Sequence, residues 1–173
     1  MKILFIADGR SPIALNWLRY FRSTLFEVHL VSTFPVEAEL KDRLGLKSLQ
    51  VIPVAFSGAK EGSRQGSGKD SAGLARKLKR LVWGAGMVKF RMAVRQTLGP
   101  LTLPAAAKKL QAVVRQVQPD LVHAMRIPYE GMLAALALEG EPNIPFLVSV
   151  WGNDFTLHAP SNPWMGKLTR HTM

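Results

Sequence analysis

The sequence contains no cysteine among its 173 residues. That absence excludes a disulfide framework, a thiol nucleophile and a thiolate metal site. The sequence also lacks any run of about 18 apolar residues, the length that a membrane-spanning helix needs. Its start, "MKILFIADGR", is too short in its apolar part for a secretory signal. We therefore predict a cytoplasmic protein, and a hydrophobic content of 47% is enough for one packed domain.

Acidic residues are scarce in one part of the chain. Residues 59–118 carry 13 Lys and Arg but only 2 Asp and Glu, whereas the rest carries 10 of each kind. The whole net charge of +11 therefore lies in this central block. Such a block suits an anionic partner, either lipid headgroups or nucleic acid. A solvated helix face is the alternative interpretation.

Glycine is too sparse in the first loop, "ADGRSPIA", for a dinucleotide-binding fingerprint, which needs three glycines. Pro12 also removes one N–H that a phosphate would use. Arg10 and two backbone N–H groups remain available to an anion, although an ordinary strand-to-helix turn explains the loop equally well. The four histidines of the chain show no metal-ligand spacing, so we predict no metal site.

Apolar runs alternate with amphipathic segments along the chain. The predicted strands are 2–7, 27–32, 49–56, 119–124 and 145–150, and the predicted helices are 11–23, 36–45, 74–98, 103–118, 130–140 and 163–173. In the first helix Ser11 is the expected N-cap, and Ile13, Trp17 and Tyr20 or Phe21 share one face. A glycine- and serine-rich loop is predicted over 57–73. This order predicts an α/β fold with a doubly wound, Rossmann-like parallel sheet in the strand order 3-2-1-4-5.

Polar residues follow strands 1, 4 and 5 directly, at the edge where such sheets bind ligands. The candidate substrate-binding residues are Asp8, Gly9, Arg10, Ser11, Arg126, Tyr129, Glu130, Trp151, Gly152 and Asn153. Trp151 offers a flat apolar face to a sugar or base, and Gly152 permits close approach. The alternatives are a self-bonded turn at 151–154 and a helix-terminal charge at Glu130. His123, at the end of strand 4, is either a core residue or a functional one.

Three segments, "ILFIADGRSPIALNWLRYF", "PDLVHAMRIPYEGMLAA" and "PFLVSVWGNDF", resemble the N-terminal half of glycosyltransferase family 4, retaining enzymes of GT-B fold. The resemblance implies one half of a two-domain enzyme whose cleft lies between two doubly wound domains. Residues 1–173 would be the acceptor-side domain with a flexible basic insertion at about 57–100. The C-terminal donor-binding domain is absent from this chain. Trp151 stands where many family members have histidine, and the glycine-rich first loop is reduced to "DGRS".

The resemblance further implies transfer of a hexosyl group from a nucleotide-sugar donor to a lipid-linked or saccharide acceptor. The co-substrate would be held mainly by the missing domain, and no metal or other cofactor is implied. Asp154 and His123 are then the catalytic candidates that orient the acceptor hydroxyl. Because the sequence stops within a helix at Met173, we expect a longer protein, and we expect these residues alone to be inactive.

The basic helix gains a role from the same resemblance. Arg76, Lys77, Lys79 and Arg80 border its apolar face and are predicted to contact an anionic membrane surface. The protein would then be cytoplasmic and peripheral at the inner membrane face. Two other functions remain open: a stand-alone Rossmann-like module that binds a nucleotide or small anion, and a nucleic-acid binder. The latter ranks last because residues 59–118 contain few aromatic side chains.

Overall fold

The computed structural model describes residues 1–57 and 94–173, which contain a single five-stranded parallel sheet. The strands are β1 (Lys2–Ala7), β2 (Glu27–Ser32), β3 (Ser48–Val51), β4 (Leu121–Ala124) and β5 (Phe146–Val148). The helices are α1 (Pro12–Phe21), α2 (Leu40–Leu44), α3 (Leu103–Val117), α4 (Met132–Leu138) and α5 (Pro163–Thr172). The sheet order is β3-β2-β1-β4-β5. The predicted fold class and strand order are therefore confirmed.

Several predictions fall on residues outside this description. They are the loop over 57–73 beyond its first residue, the basic residues 76–80 and most of the helix over 74–98. Residues 94–98 of that helix are described, and they are helical.

The central strand β1 is buried on both faces of the sheet, which is why its sequence is an uninterrupted apolar run. Leu4 and Ile6 pack in one core with α3, α4 and Met165 of α5. Ile3 and Phe5 pack in a second core on the opposite face, beneath α1 and α2. Each fully buried side chain of this size contributes about 1.5–3 kcal/mol to folding. The two cores hold the carboxyl ends of the strands at one common edge.

The edge strands are shorter than predicted because their pairing partners end. β3 was expected to run to residue 56, but its last pair joins Val51 to Ser32, the final residue of β2. β5 was expected over 145–150, but its last pair joins Val148 to Ala124, where β4 ends. β4 itself starts two residues later than predicted. The residues beyond these pairs form the loops that line the site.

Helix α1 begins as predicted but turns a different face to the sheet. The hydroxyl of Ser11 accepts a bond from the N–H of Ala14, at 3.4 Å, so the predicted N-cap is confirmed. The shared face of Ile13, Trp17 and Tyr20 is exposed. Ala14 and Leu18 are the buried residues of the helix instead. The small side chain of Ala14 allows the helix to lie close to the strands.

Candidate functional site

The turns that follow β1, β2 and β4 are joined at the carboxyl edge of the sheet. The backbone N–H of Thr33, after β2, donates to the carbonyl of Ala7 at 2.9 Å. Its hydroxyl donates to Oε1 of Glu130, after β4, at 2.7 Å. Ser57, after β3, donates its hydroxyl to the Thr33 carbonyl. Doubly wound sheets bind ligands at this edge, and we call the region lined by these turns and by the turn after β5 the crevice.

Asp154 joins the turn after β5 to the turn after β4. Its side chain is fully buried, and Oδ2 accepts bonds from the N–H groups of Ile127 at 3.2 Å and Trp151 at 3.0 Å. Its other oxygen, Oδ1, lies 3.7 Å from Nη2 of Arg126. The carboxylate thus fixes two loops and one guanidinium group, a set of contacts that suits a positioning role. The catalytic role predicted for Asp154 stays a prediction.

Trp151 and Arg126 lie together on the crevice wall. The indole N–H of Trp151 donates to the carbonyl of Met125 at 2.6 Å, and its ring centroid lies 5.6 Å from the guanidinium carbon of Arg126. Nη2 of Arg126 lies 3.3 Å from Nε2 of His158. Burial lowers the pKa of His158, Arg126 lowers it further, and Asp154 opposes the change. His158 is therefore neutral at pH 7 and accepts this bond.

Arg10 and Arg95 both stack on Phe34, the residue after Thr33. The guanidinium carbon of Arg10 is 3.6 Å from the ring centroid, and that of Arg95 is 5.0 Å from it. Arg95 also lies 4.9 Å from the ring centroid of Tyr129, whose hydroxyl donates to the Arg95 carbonyl at 2.6 Å. Arg10 is paired with Asp8, through an Nε–Oδ1 distance of 3.1 Å. The predicted residues Asp8, Arg10 and Tyr129 therefore meet at this end of the crevice.

Glu130 is a buried carboxyl group in the floor of the crevice, with 3% of its surface exposed. Burial raises its pKa to about 7, against the opposing effects of the Thr33 hydrogen bond and of Arg126 and Arg95. A carboxyl that titrates near neutrality can accept or release a proton at physiological pH. Glu130 also lies in the first turn of the helical segment Ile127–Gly131, so the alternative interpretation as a helix-terminal charge fits its place in the chain as well.

Tyr129 adopts a strained backbone conformation, with φ of 68° and ψ of −51°. A residue other than glycine in this region of φ and ψ raises the free energy of the folded state by about 1–3 kcal/mol. Strain of this kind concentrates at functional sites. The bond to the Arg95 carbonyl helps to hold it. The Tyr129 side chain packs closely against the backbone of Gly99. This position requires glycine, because a Cβ there would lie 3.0 Å from the Tyr129 hydroxyl oxygen.

His123 lies away from these groups, on the α1 side of the sheet. Its ring packs 5.2 Å from Phe5 and 6.4 Å from Trp17, measured between centroids. Its Nε2 lies 2.9 Å from the hydroxyl oxygen of Ser149. Burial lowers its pKa. These are the contacts of a satisfied core histidine, and none of those described joins it to Arg126 or Asp154.

The remaining predicted residues divide by what surrounds them. A Cβ on Gly9 would lie 2.8 Å from the Ser32 hydroxyl oxygen, so this glycine is required by packing. A Cβ on Gly152 would meet nothing within 4 Å, which leaves its backbone open to a ligand. Asn153 is exposed beside it. Ser11 is occupied in capping α1.

Four residues of the crevice were not predicted: Thr33, Phe34, Ser57 and Arg95. Thr33 and Phe34 follow β2, whose end carries no unusual run of polar residues, and Ser57 is the first residue of the predicted glycine- and serine-rich loop. Arg95 is one of 13 basic residues in the central block, and nothing in the sequence separates it from the others.

Within residues 1–57 and 94–173, no three His, Cys, Asp or Glu side chains cluster in a way that would hold a metal ion. Among the helices of the same ranges, none has the length and hydropathy needed to cross a bilayer.

The family profile described as "Glycosyl transferase 4-like" matches residues 84–173. One similar solved structure is the deacetylase–bog complex from the biosynthesis pathway of teicoplanin, at 10% identity and a TM-score of 0.47, covering 99% of this chain and 82% of that one.

A second is the spinosyn rhamnosyltransferase SpnG complexed with thymidine diphosphate, at 16% identity and a TM-score of 0.46. There the alignment covers 99% of this chain and 41% of that chain. The sequence has no significant match among curated proteins. Both structural likenesses are remote, so the family match alone carries an assignment.

Proposed function

The chain belongs to the glycosyl transferase 4-like family, and from that premise we propose that it is the acceptor-binding domain of a retaining glycosyltransferase. In this proposal the full protein transfers a hexosyl group from a nucleotide sugar to a saccharide or lipid-linked acceptor. A C-terminal domain of the same protein holds the donor. The family match over 90 residues is the observation that carries the proposal.

The crevice has the chemistry that such a domain requires. Transfer by front-face attack needs no protein nucleophile, so the domain contributes by positioning the acceptor and stabilising charge. Arg10, Arg95 and Arg126 supply positive charge at one edge. Half-buried Trp151 supplies an apolar surface beside the open backbone of Gly152. Metal chemistry forms no part of the proposal, and the nucleotide sugar is its only co-substrate.

Within the proposal, Asp154 acts through Arg126 and the two loops that it ties together. His123 keeps its place as a candidate for orienting the acceptor hydroxyl, although the ring must then act from the α1 side through Ser149. Replacing His123 with asparagine in the full-length protein separates a core role from a catalytic one. A core role predicts lower stability with kcat unchanged for the folded fraction.

The proposal is tested by donor turnover in the full-length protein. A panel of nucleotide sugars is incubated with saccharide and lipid-linked acceptors, and release of nucleoside diphosphate is measured. We expect acceptor-dependent release with the full-length protein and none with residues 1–173 alone. Proton NMR of the product reports whether the anomeric configuration is retained. Turnover by the 173 residues alone, or inversion at the anomeric carbon, would contradict the proposal.

The competing functions have less support. A stand-alone Rossmann-like module that binds a nucleotide or small anion is not favoured by the family match. A nucleic-acid binder would need the basic block, most of which lies outside the described residues. Filter binding of DNA with a steep salt dependence would revive that possibility.

We also propose peripheral contact with the cytoplasmic face of a membrane. The exposed face of α1, formed by Ile13, Trp17 and Tyr20, supports this, because Trp and Tyr favour the lipid–water interface and α1 carries no acidic residue. Arg76, Lys77, Lys79 and Arg80 would add about 1 kcal/mol each near an anionic surface.

A vesicle sedimentation assay at low salt distinguishes the contribution of the exposed α1 face from that of the four basic residues. Replacing the four basic residues with glutamine should reduce binding to anionic vesicles only. Trp17→Ser with Tyr20→Ser should reduce binding to anionic and neutral vesicles alike. Equal partitioning of the unmodified chain between both vesicle types would refute the electrostatic part.

A further inference from the structure

Arg95 is the least compensated charge in the crevice. Its Nε is buried and has no hydrogen-bond partner, and among residues 1–57 and 94–173 it has no carboxylate in ion-pair contact. Arg10 has Asp8, and Arg126 has Asp154. The nearby carboxyl of Glu130 has a pKa of about 7 and is only partly ionised at neutral pH. A half-buried guanidinium without a counter-ion is costly unless an anion binds it.

Arg10 and Arg95 meet at Phe34, and Arg126 lies near the same end of the sheet, beside Trp151. Arg10 and Arg95 are 3.6 Å and 5.0 Å from the same Phe34 ring centroid, so their guanidinium carbons can be no further apart than the sum of these distances. Arg95 and Arg126 both act electrostatically on Tyr129, Glu130 and His158, so both guanidinium groups lie near these three side chains. A single phosphate that accepts bonds of about 2.8 Å from two guanidinium groups spans a similar separation.

We propose that Arg95, together with Arg10 and Arg126, forms a subsite for one phosphate group of a substrate. A planar carboxylate would be satisfied by a single bidentate arginine, whereas the non-bridging oxygens of a phosphate point in different directions and can be shared by more than one guanidinium group. The subsite is reachable, since 52% of the Arg10 side chain and 31% of the Arg126 side chain are exposed.

The phosphate subsite rests on the proposed function, because the phosphate would belong to the acceptor or to the donor of the sugar transfer. An acceptor source makes the acceptor a phosphorylated sugar, polyol or lipid headgroup. A donor source makes the ligand the diphosphate of the nucleotide sugar. Phe34 contributes by holding two guanidinium groups through its ring face.

The test measures phosphate binding by the 173-residue chain, independently of any sugar transfer. Inorganic phosphate is titrated by calorimetry at low chloride, with acetate as the matched anion. We expect phosphate to bind and acetate to bind at least about 10-fold more weakly. Arg95→Gln should weaken phosphate binding about 10-fold, Arg95→Lys should fall in between, and Arg115→Gln should have no effect. Arg115 is a suitable control because it is exposed and pairs with Glu141 on a different surface.

One further variant keeps the test decisive. Should Arg95→Gln fail to fold, Arg10→Gln carries the same expectation at a more exposed residue. Absence of phosphate binding by the unmodified chain, equal binding of acetate, or undiminished binding by the folded Arg95 and Arg10 variants would overturn the subsite.

A binding experiment on the full-length protein distinguishes a phosphate of the acceptor from a phosphate of the donor. Glycerol 3-phosphate that still binds in the presence of saturating nucleoside diphosphate indicates the acceptor, and its displacement indicates the donor. If sugar transfer occurs but phosphate does not bind, the subsite is wrong and the proposed function stands. If phosphate binds but no nucleotide sugar is turned over, the proposed function fails and the subsite stands.

Discussion

Replacing Asp154 with alanine is expected to lower the free energy of unfolding of the chain by about 3–5 kcal/mol, because two backbone N–H donors lose their acceptor at about 1–3 kcal/mol each. The carboxylate is fully buried and accepts bonds from the N–H groups of Ile127 and Trp151. Alanine leaves both donors unsatisfied and leaves Arg126 without its counter-ion. Urea denaturation followed by circular dichroism measures the loss.

One further variant and one control show whether the charge of Asp154 or its hydrogen bonds stabilise the fold. Asp154→Asn keeps one carbonyl oxygen for the two N–H groups but removes the charge, so its loss should be smaller than that of alanine. Asp8→Ala is the matched control, because Asp8 pairs with Arg10 near the surface, and exposed pairs contribute about 1 kcal/mol or less. In the full-length protein, loss of sugar transfer without loss of stability in Asp154→Ala would favour direct catalysis over positioning.

Glu130→Gln is expected to stabilise the chain above neutral pH, which is an unusual outcome for a buried residue that makes a hydrogen bond. Burial raises the pKa of Glu130 from 4.5 in the unfolded chain to about 7 in the folded one. Between these values the folded state binds more protons than the unfolded state, so stability falls as pH rises. The total loss is about 3 kcal/mol by pH 8.

Glutamine cannot ionise, and its carbonyl oxygen still accepts the Thr33 hydroxyl. The variant should therefore match the unmodified chain near pH 4 and exceed it by about 3 kcal/mol at pH 8. Urea unfolding from pH 4 to 8.5 measures both curves. Glu37→Gln, at an exposed position, is the control and should follow the unmodified chain. Destabilisation of Glu130→Gln at pH 8 would show instead that Arg95 and Arg126 keep the carboxylate ionised.

The fold follows from sequence because each of its determinants is local. Apolar runs of strand length alternate with amphipathic segments, and right-handed crossovers then restrict the order of strands. The ends of β3 and β5 could not be predicted the same way. They depend on where the neighbouring strands β2 and β4 end, and pairing of this kind is a property of the assembled sheet.

The site was predictable only where a strand end carries unusual residues. The polar run after β5 revealed Trp151 and Asp154, and the turn after β4 revealed Arg126 and Glu130. Phe34 gave no such signal, because an aromatic residue after a strand is ordinary. Its role arises from Arg10 and Arg95, which reach it from distant parts of the chain. His123 shows the reverse case: a strand-end position indicated function, whereas side-chain alternation placed the ring under α1.

Thr33 has a consequence for the entropy of substrate binding. This one residue connects the end of β1 with the turns after β2, β3 and β4, through Ala7, Ser57 and Glu130. Loops that are ordered before a ligand arrives do not lose their freedom when it binds, a loss that otherwise costs about 0.5–1.5 kcal/mol for each immobilised side chain. Such a preorganised surface discriminates by shape, so under the proposed function we expect weaker binding of acceptors that require these turns to move.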